Sequence, residues 1–354
     1  MKRILLMSVI GAVLPVMFFV VFTRATESAE YTSVESIAAA NKDAARDFEI
    51  QGEYVNKTEN GDNVFGFNIV VRGKGKFLFI VFAGGLPGDG WSRGDLRLFA
   101  NAEVKDDTLI VTDNEREEKN GKGGTKRKKI EKPRVNRYKI ENGKLTNLDK
   151  KEVLLKVYRK SSTLGLKMPE GGIPIFVDGK AAEILSQGKV NDKAKTLWAE
   201  ATTKAFEKRP YILHVEFLNS FMPDSASQGR SNSGVYIDEC YECQILDSLG
   251  LEGLNNECGG FYLQAAPKLN MCYPPLQWQT YDIDFVPAKF DNDGKKIANA
   301  RVTVKQNGVL IHENFEPKHE TPGRKKETKD ARGLYLQGHG NKVQFNNVWI
   351  KYKD

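Results

Sequence analysis

Short apolar segments separated by glycine-containing turns recur along this chain, and they constrain its fold more than any other feature. Residues 65–71 and 76–82 are two such segments, and the sequence Arg72-Gly-Lys-Gly75 between them is typical of a hairpin. Turn pairs such as Asn307-Gly308 punctuate the later segments. Because helical patterns are scarce, this spacing predicts an all-β protein.

The pattern divides the chain into two β-rich parts. A length of 354 residues suits two domains of roughly 100–200 residues each. We expect a smaller β-rich domain over residues 30–160 and a linker over 161–171, which contains Pro169 and Gly171. Regular strands over 172–354 then predict a β-sandwich.

The N-terminus carries an export pattern over residues 1–29. Lys2 and Arg3 precede an apolar run from Ile4 to Phe22, as in a secretory signal peptide. An uncleaved N-terminal anchor is the alternative, because the run approaches the roughly 20 residues that span a bilayer. We therefore expect an exported protein, periplasmic or secreted, with membrane contact only if residues 4–22 are retained.

The positive charge is concentrated in one segment. The formal net charge is +7, and residues 115–137 alone hold ten Lys or Arg against four Asp or Glu. Glycines interrupt this segment and no aromatic residue is interleaved with its basic cluster, so it predicts a solvated basic loop. Nucleic-acid binding is not expected, since bases have no ring there to stack on.

Export changes the interpretation of the four cysteines. Cys258 and Cys272 close a short loop, and a disulfide there would contribute about 3 kcal/mol. Cys240 and Cys243 have C-x-x-C spacing, but on a strand they would point to opposite faces. No cofactor is indicated, and no ligand spacing selects a metal, although a divalent metal is left open.

Residues 228–247 concentrate polar groups of the kind that a sugar site needs. Arg230, Asn232 and Ser233 lie in a glycine-bounded loop, and Glu242 and Gln244 lie on the strand that follows. Strand residues two apart share a face, so Glu242 and Gln244 should emerge side by side. The alternative is a polar outer face of an antiparallel sheet.

Seven motifs in the second half of the chain together resemble the 3-keto-disaccharide hydrolase family. They occupy residues 211–217, 228–236, 241–248, 256–260, 270–282, 300–308 and 334–341. The resemblance covers about residues 172–354 and implies a concanavalin-like jelly-roll sandwich. It also implies a secreted or periplasmic bacterial enzyme that acts on oxidised glycosides. Cys240, Cys243 and Ser231 depart from the family pattern.

A 3-keto sugar allows a glycosidic bond to be cleaved by elimination. The C3 ketone acidifies the C2 proton and places the C1 oxygen β to the carbonyl, so proton abstraction, loss of the C1 oxygen and addition of water suffice. Such a site needs a base, a proton donor and donors to an enolate oxygen. We predict Glu242 as the base, Arg230 as the stabilising cation and His339 as an acid or base.

Six further residues are predicted to bind the sugar. Trp278 could stack on a ring, although a core tryptophan is the alternative, and a turn histidine is the alternative for His339. The predicted binding residues are Asn232, Ser233, Gln244, Gln277, Trp278 and Gln337.

Two other functions fit the same residues. A non-catalytic carbohydrate-binding protein would keep the glutamines and Trp278 without needing Glu242 and His339 together. A glycosidase for unoxidised glycans would need Glu242 and a second carboxylate, Asp247 or Asp282, at about 5–10 Å. The aglycone, the anomer, the role of the N-terminal domain and the choice between elimination and direct hydrolysis remain open.

Overall fold

A computed structural model describes residues 28–57, 63–119 and 125–354. Two short helices open this part of the chain, α1 (Val34–Ala40) and α2 (Lys42–Ile50). Ser33 begins α1 with a capping box, and the side chain of Asn41 accepts hydrogen bonds from the first turn of α2. No helix among the described residues is long and apolar enough to cross a membrane. The N-terminal run 4–22 lies outside the described residues.

The first domain is a closed antiparallel barrel. Its strands follow the order β1-β10-β9-β8-β7-β6-β3-β2, so that the first and last strands of the domain pair with one another. A short ladder of β4 and β5 lies outside the barrel. The strands are β1 (Gly52–Lys57), β2 (Asn63–Val71), β3 (Lys76–Ala83), β4 (Leu86–Pro87), β5 (Gly90–Trp91), β6 (Arg97–Lys105), β7 (Thr108–Lys119), β8 (Thr125–Glu141), β9 (Lys144–Asn147) and β10 (Val153–Val157).

Aromatic side chains fill much of the barrel interior. The Phe79 ring lies 5.7 Å from the Phe67 ring and stacks on Tyr138 at 5.7 Å. Ile37 of α1 and Ile50 of α2 belong to the same buried cluster, so the helices pack on the barrel core. A barrel of eight strands is just wide enough for side chains to fill.

The predicted basic loop 115–137 is mostly strand, which corrects that prediction. β7 and β8 pair from Thr108↔Lys139 to Lys119↔Thr125. Charged residues carry the same backbone donors and acceptors as apolar ones, so a strongly basic composition does not prevent a ladder. Residues 120–124 of the predicted loop lie outside the described residues.

The tip of this hairpin is expected to contribute little stability. β6 pairs with β7 only as far as Leu98↔Arg116, so beyond this point β7 has only β8 beside it. A two-stranded ribbon is marginally stable in water. Replacing residues 118–126 with Asn-Gly should therefore shift the Tm by less than about 3 °C in calorimetry. A much larger loss would show that the ribbon is docked on the rest of the protein.

The second domain is a two-sheet sandwich. The larger, nine-stranded sheet has the order β12-β11-β26-β17-β20-β23-β24, with β15 joined to β26 and β14 to β15, and the five-stranded sheet has the order β13-β16-β25-β18-β19. Its elements are β11 (Ile173–Val177), β12 (Lys180–Ala181), β13 (Leu185–Gln187), β14 (Val190–Asn191), β15 (Thr196–Trp198), β16 (Ala201–Thr203), β17 (Tyr211–Leu218), a 3-10 turn (Ser227–Gly229), β18 (Ser233–Ile237), β19 (Tyr241–Ile245), β20 (Trp278–Val286), β21 (Lys289–Phe290), β22 (Lys296–Ala298), β23 (Arg301–Gln306), β24 (Val309–Phe315), β25 (Tyr335–Leu336) and β26 (Gln344–Tyr352). The sandwich preceded by a β-rich domain confirms the predicted all-β fold class.

The predicted disulfide is not formed. All four cysteines are free and buried, in the core between the two sheets. The Cys258 sulfur lies 3.3 Å from the hydroxyl of Tyr281 and 3.3 Å from the amide nitrogen of Gln306. The thiol of Cys272 donates to the carbonyl of Leu246 at 3.4 Å. The thiols of Cys258 and Cys272 also interact with each other, so the two side chains lie close together, as predicted, but without a covalent bond.

The predicted linker 161–171 lies against the outer face of the nine-stranded sheet. The hydroxyl of Ser161 is 2.7 Å from that of Thr280, and the backbone N–H of Gly165 donates to Glu216 at 2.6 Å. Glu216 and Asp282 both contact the buried His214, whose Nδ1 lies 2.7 Å from Asp282 Oδ1. This polar cluster ties the linker to the sandwich.

Barrel and sandwich share a buried interface. Val70 and Ile80 of the barrel cluster with Leu249 of the sandwich. The guanidinium carbon of Arg159, which follows β10, lies 4.9 Å from the ring centroid of Tyr273 in the sandwich. These contacts set the barrel against the loops at one end of the five-stranded sheet.

Candidate active site

Two neighbouring strands place Glu242 and Gln244 on the outer face of the five-stranded sheet. Tyr236 of β18 pairs with Glu242 of β19, and Gly234 pairs with Gln244. Val235, like the other alternate residues of these strands, is in the core between the sheets. Alternation therefore sends Tyr236, Glu242 and Gln244 together to the opposite face.

Glu242 is a buried carboxyl group with an altered pKa. Only 2% of the residue is exposed, and Oε2 accepts a hydrogen bond from the hydroxyl of Tyr236 at 2.6 Å. Burial raises the pKa of Glu242 to about 7, although the Tyr236 hydrogen bond and the charge of Arg324 oppose the rise. Gly234 makes room for the side chain, since a Cβ there would lie 2.5 Å from Oε1.

A cation lies beside this carboxyl group. The guanidinium carbon of Arg324 is 4.8 Å from the ring centroid of Tyr236 and 4.2 Å from that of Tyr335. Arg324 belongs to the segment after β24. Thr321 of the same segment holds it against the sheet, because its hydroxyl oxygen accepts a hydrogen bond from the backbone N–H of Glu242 at 3.0 Å. The Nε of Arg324 is buried and has no partner among the described residues.

Sequence reasoning missed Tyr236, Thr321, Arg324 and Tyr335. Tyr236 is the last residue of the motif 228–236, and Tyr335 lies two residues before Gln337. Because strand residues two apart share a face, alternation could have identified both tyrosines as site residues. Thr321 and Arg324 lie in an irregular segment between β24 and β25, where no period indicates a face.

Amide side chains surround the carboxyl group. The side-chain oxygen of Gln228 accepts a hydrogen bond from Gln244 Nε2 at 3.2 Å, and its backbone carbonyl accepts one from Asn232 Nδ2 at 2.8 Å. Gln337 Nε2 donates to the hydroxyl of Tyr236 at 3.3 Å. Within the described part of the chain, the remaining side-chain oxygens of Gln244, Asn232 and Gln337 are buried without a donor. Buried acceptors of this kind suit the hydroxyl groups of a ligand.

His339 lies at the border of this face. It is exposed in the turn that follows β25, two residues after Gln337. The same turn is attached to the amide cluster, because Asn341 Oδ1 accepts a hydrogen bond from the backbone N–H of Asn232 at 2.8 Å. The structure therefore places His339 near the predicted binding residues without a contact to Glu242.

Arg230 is not beside Glu242. It is 3% exposed, its Nε lies 2.6 Å from Asp247 Oδ2, and its Nη1 donates to the carbonyl of Val71 in the barrel at 3.0 Å. These contacts place the guanidinium in the interface between the two domains. Arg324, and not Arg230, is the cation next to the buried carboxyl group.

Three predicted binding residues face other parts of the molecule. Ser233 is fully buried on the inner side of β18, where its hydroxyl donates to the Gln337 carbonyl at 2.7 Å. Trp278 begins β20 in the nine-stranded sheet, on the same side as Thr280 and Asp282, and Gln277 directly precedes it. Trp278 and Gln277 therefore lie on the other sheet from Glu242.

The same topology bears on a mechanism with two carboxylates. Asp282 lies on the outer face of the nine-stranded sheet, bonded to His214, with the whole core between it and Glu242. Asp247 is engaged by Arg230 at the domain interface. Within residues 28–57, 63–119 and 125–354, no group of three or more His, Cys, Asp or Glu is arranged to hold a metal ion.

The fold and this face together define a β-sandwich protein with a buried, titratable carboxyl group among amides suited to sugar hydroxyls. The profile of the 3-keto-alpha-glucoside-1,2-lyase-like domain matches residues 114–351, and the chain belongs to this family. The match begins within β7 of the barrel. Family membership makes the protein a carbohydrate-active enzyme of the glycosidase or lyase kind. No curated protein matches the chain.

Two solved structures from Parabacteroides distasonis ATCC 8503 resemble the chain, and both carry a provisional glycosyl hydrolase name. The first, at 2.13 Å resolution, is 26% identical, with 52% of this chain and 85% of that chain covered and a TM-score of 0.47. The second, at 1.70 Å resolution, is 19% identical, with 52% and 95% covered and a TM-score of 0.35.

Proposed function

We propose that the protein cleaves the glycosidic bond of 3-keto-glycosides or 3-keto-disaccharides, by C2 proton abstraction and elimination followed by hydration. Glu242 carries this proposal. Its pKa of about 7 gives the carboxylate the basicity that proton abstraction near neutral pH requires. It also faces the same surface as three acceptors that have no donor in the described protein.

The residues on this face divide the reaction between them. Glu242 takes the C2 proton, and the electron pair of the C–H bond forms an enolate with its negative charge on the C3 oxygen. Arg324 is the nearby cation that would stabilise this oxygen. Re-formation of the ketone expels the C1 oxygen and leaves a C1–C2 double bond, to which water then adds at C1 while C2 regains a proton.

Tyr236 and His339 have supporting roles in this scheme. Burial raises the pKa of Tyr236 far above its usual value, so its hydroxyl keeps its proton and holds Glu242 by a hydrogen bond. His339 is exposed at the border of the face and is proposed to supply a proton to the leaving oxygen. Asn232, Gln244 and Gln337 are proposed to bind sugar hydroxyls.

The proposal extends to the cellular location and to cofactors. The scheme uses side chains alone, so we propose a reaction without a bound cofactor. The apolar run 4–22 after Lys2 and Arg3 supports export to the periplasm or the medium.

An assay with paired substrates tests the proposed function. The full chain should release glucose from 3-keto-trehalose and leave trehalose intact, because only the ketone acidifies C2. In D₂O, the oxidised product should carry deuterium at C2 beyond the level reached without enzyme, which direct hydrolysis would not produce. Cleavage of trehalose at an equal rate would instead support a glycosidase for unoxidised glycans, and no cleavage of either would support a binding protein.

A further inference from the structure

A cavity lies at one end of the barrel, away from the Glu242 face. It has a volume of about 860 Å³ and is lined by the barrel, by the end of α2 and by residues 274–277 of the sandwich. None of its lining residues belongs to the outer face of the five-stranded sheet. Its volume is within the usual range of about 300–1,000 Å³ for ligand pockets, which often form at barrel mouths and domain interfaces.

Two glutamines give this cavity buried polar groups that lack partners. Gln51 is 1% exposed, and its Oε1 accepts a hydrogen bond from Arg230 Nη2 at 3.4 Å. The Nε2 of Gln51 and the Oε1 of Gln277, which lies in the part of the lining that the sandwich supplies, have no partner among the described residues. One amide donor and one amide acceptor complement the hydroxyl groups of a sugar.

The other walls combine an aromatic ring with apolar side chains. Tyr158 is 72% exposed, a large fraction for an aromatic residue, and Leu276 lies in the sandwich wall. The charged lining residues nearly cancel, with three bases against four acids, which disfavours an anionic ligand. They are Arg46, Lys144 and Lys156, and Glu49, Asp106, Asp107 and Glu141.

We infer that this cavity binds a neutral oligosaccharide, as a site separate from the Glu242 face. A sugar ring has an apolar face that can stack on Tyr158 and hydroxyl groups that can satisfy Gln51 and Gln277. The inference does not require the 3-keto reaction. Gln277 would then contact sugar, as its sequence context predicts, but in this cavity.

Titration calorimetry with unoxidised oligosaccharides tests the inference. Cellotetraose and maltotetraose are the probes, and we expect at least one of them to bind the full chain. Tyr158→Ala should weaken this binding by about 10-fold, the scale of a lost ring contact. Leu148→Ala removes another exposed side chain of the barrel, one that does not line the cavity, and it should leave the binding unchanged.

The Glu242→Gln variant separates the two sites. Binding of these sugars should be unchanged in this variant, whatever happens to turnover of 3-keto-trehalose. The inference is overturned if neither sugar binds, or if binding is lost in Glu242→Gln and kept in Tyr158→Ala. Stronger binding of palmitate than of either sugar, lost in Tyr158→Ala, would also overturn it by assigning the cavity to an apolar ligand.

Discussion

Glu242→Gln is expected to reduce turnover of a 3-keto-disaccharide by about 10²–10⁴-fold, the scale of a lost general base, while the protein stays folded. The amide keeps the shape of the side chain and can still accept the hydrogen bond from Tyr236. It cannot accept the C2 proton. Steady-state kcat with 3-keto-trehalose measures the loss, and binding of the unreacted substrate should be nearly retained.

Glu239→Gln is the matched control. Glu239 lies in the turn before β19 and forms an ion pair with Lys325, and the substitution likewise replaces a carboxylate with an amide. Turnover should remain within about 3-fold of the wild type, because Glu239 has no role in the proposed reaction. If Glu242→Gln also turned over substrate at a near-normal rate, Glu242 would be removed from the mechanism and His339 would become the candidate base.

The same carboxyl group should govern the pH dependence of the wild type. The base must be ionised, so kcat/KM should rise with pH through about 7, the raised pKa of Glu242. In Tyr236→Phe the carboxylate loses a hydrogen bond that favours its charged form, so the midpoint should move to higher pH. A profile with a midpoint near 4.5 would place the base elsewhere.

Stability gives an independent measure of this raised pKa. A group with a raised pKa in the folded state favours folding at low pH, and this contribution is lost as pH rises through about 7. At pH 8 the wild type therefore carries a buried charge that Glu242→Gln lacks. The variant should be more stable there, by up to about 3 kcal/mol, and the difference should vanish at acidic pH.

The sequence predicted the parts of this site that depend on local periodicity. Glu242 and Gln244 share a face because strand residues alternate, and the short segments correctly indicated β structure. The sheet to which each strand belongs is not local information. Trp278 and Gln277 were expected near Glu242, but β20 joins the other sheet, so a correct strand assignment still left them on the wrong side.

The barrel illustrates the same distinction between strands and their pairing. Most of its strands follow one another as hairpins, which turn chemistry can predict. Its closure depends on β1 pairing with β10, with Glu53 opposite Val157. Pairing between positions so distant in sequence leaves no periodic signal, and a β-rich domain was therefore the most that the pattern could establish.

Arg230→Ala is expected to lower the free energy of unfolding by about 3–5 kcal/mol, because it leaves the buried Asp247 carboxylate without its cation. It also removes the hydrogen bond to the Val71 carbonyl of the barrel. Urea unfolding at neutral pH measures this loss. Turnover per folded molecule should change little, since the guanidinium lies in the domain interface.

The double variant Arg230→Met with Asp247→Asn separates the buried charge from the packing around it. It removes both charges and should recover most of the stability that Arg230→Ala loses, because a neutral pair costs far less to bury than one uncompensated carboxylate. Arg209→Ala, which removes a half-exposed arginine of the sandwich, is the control for loss of surface charge. If Arg230→Ala instead gave a stable protein whose kcat fell at least about 100-fold, Arg230 would take part in the reaction, as the sequence predicted. The loop that carries Arg230 would then have to move toward Glu242 when substrate binds.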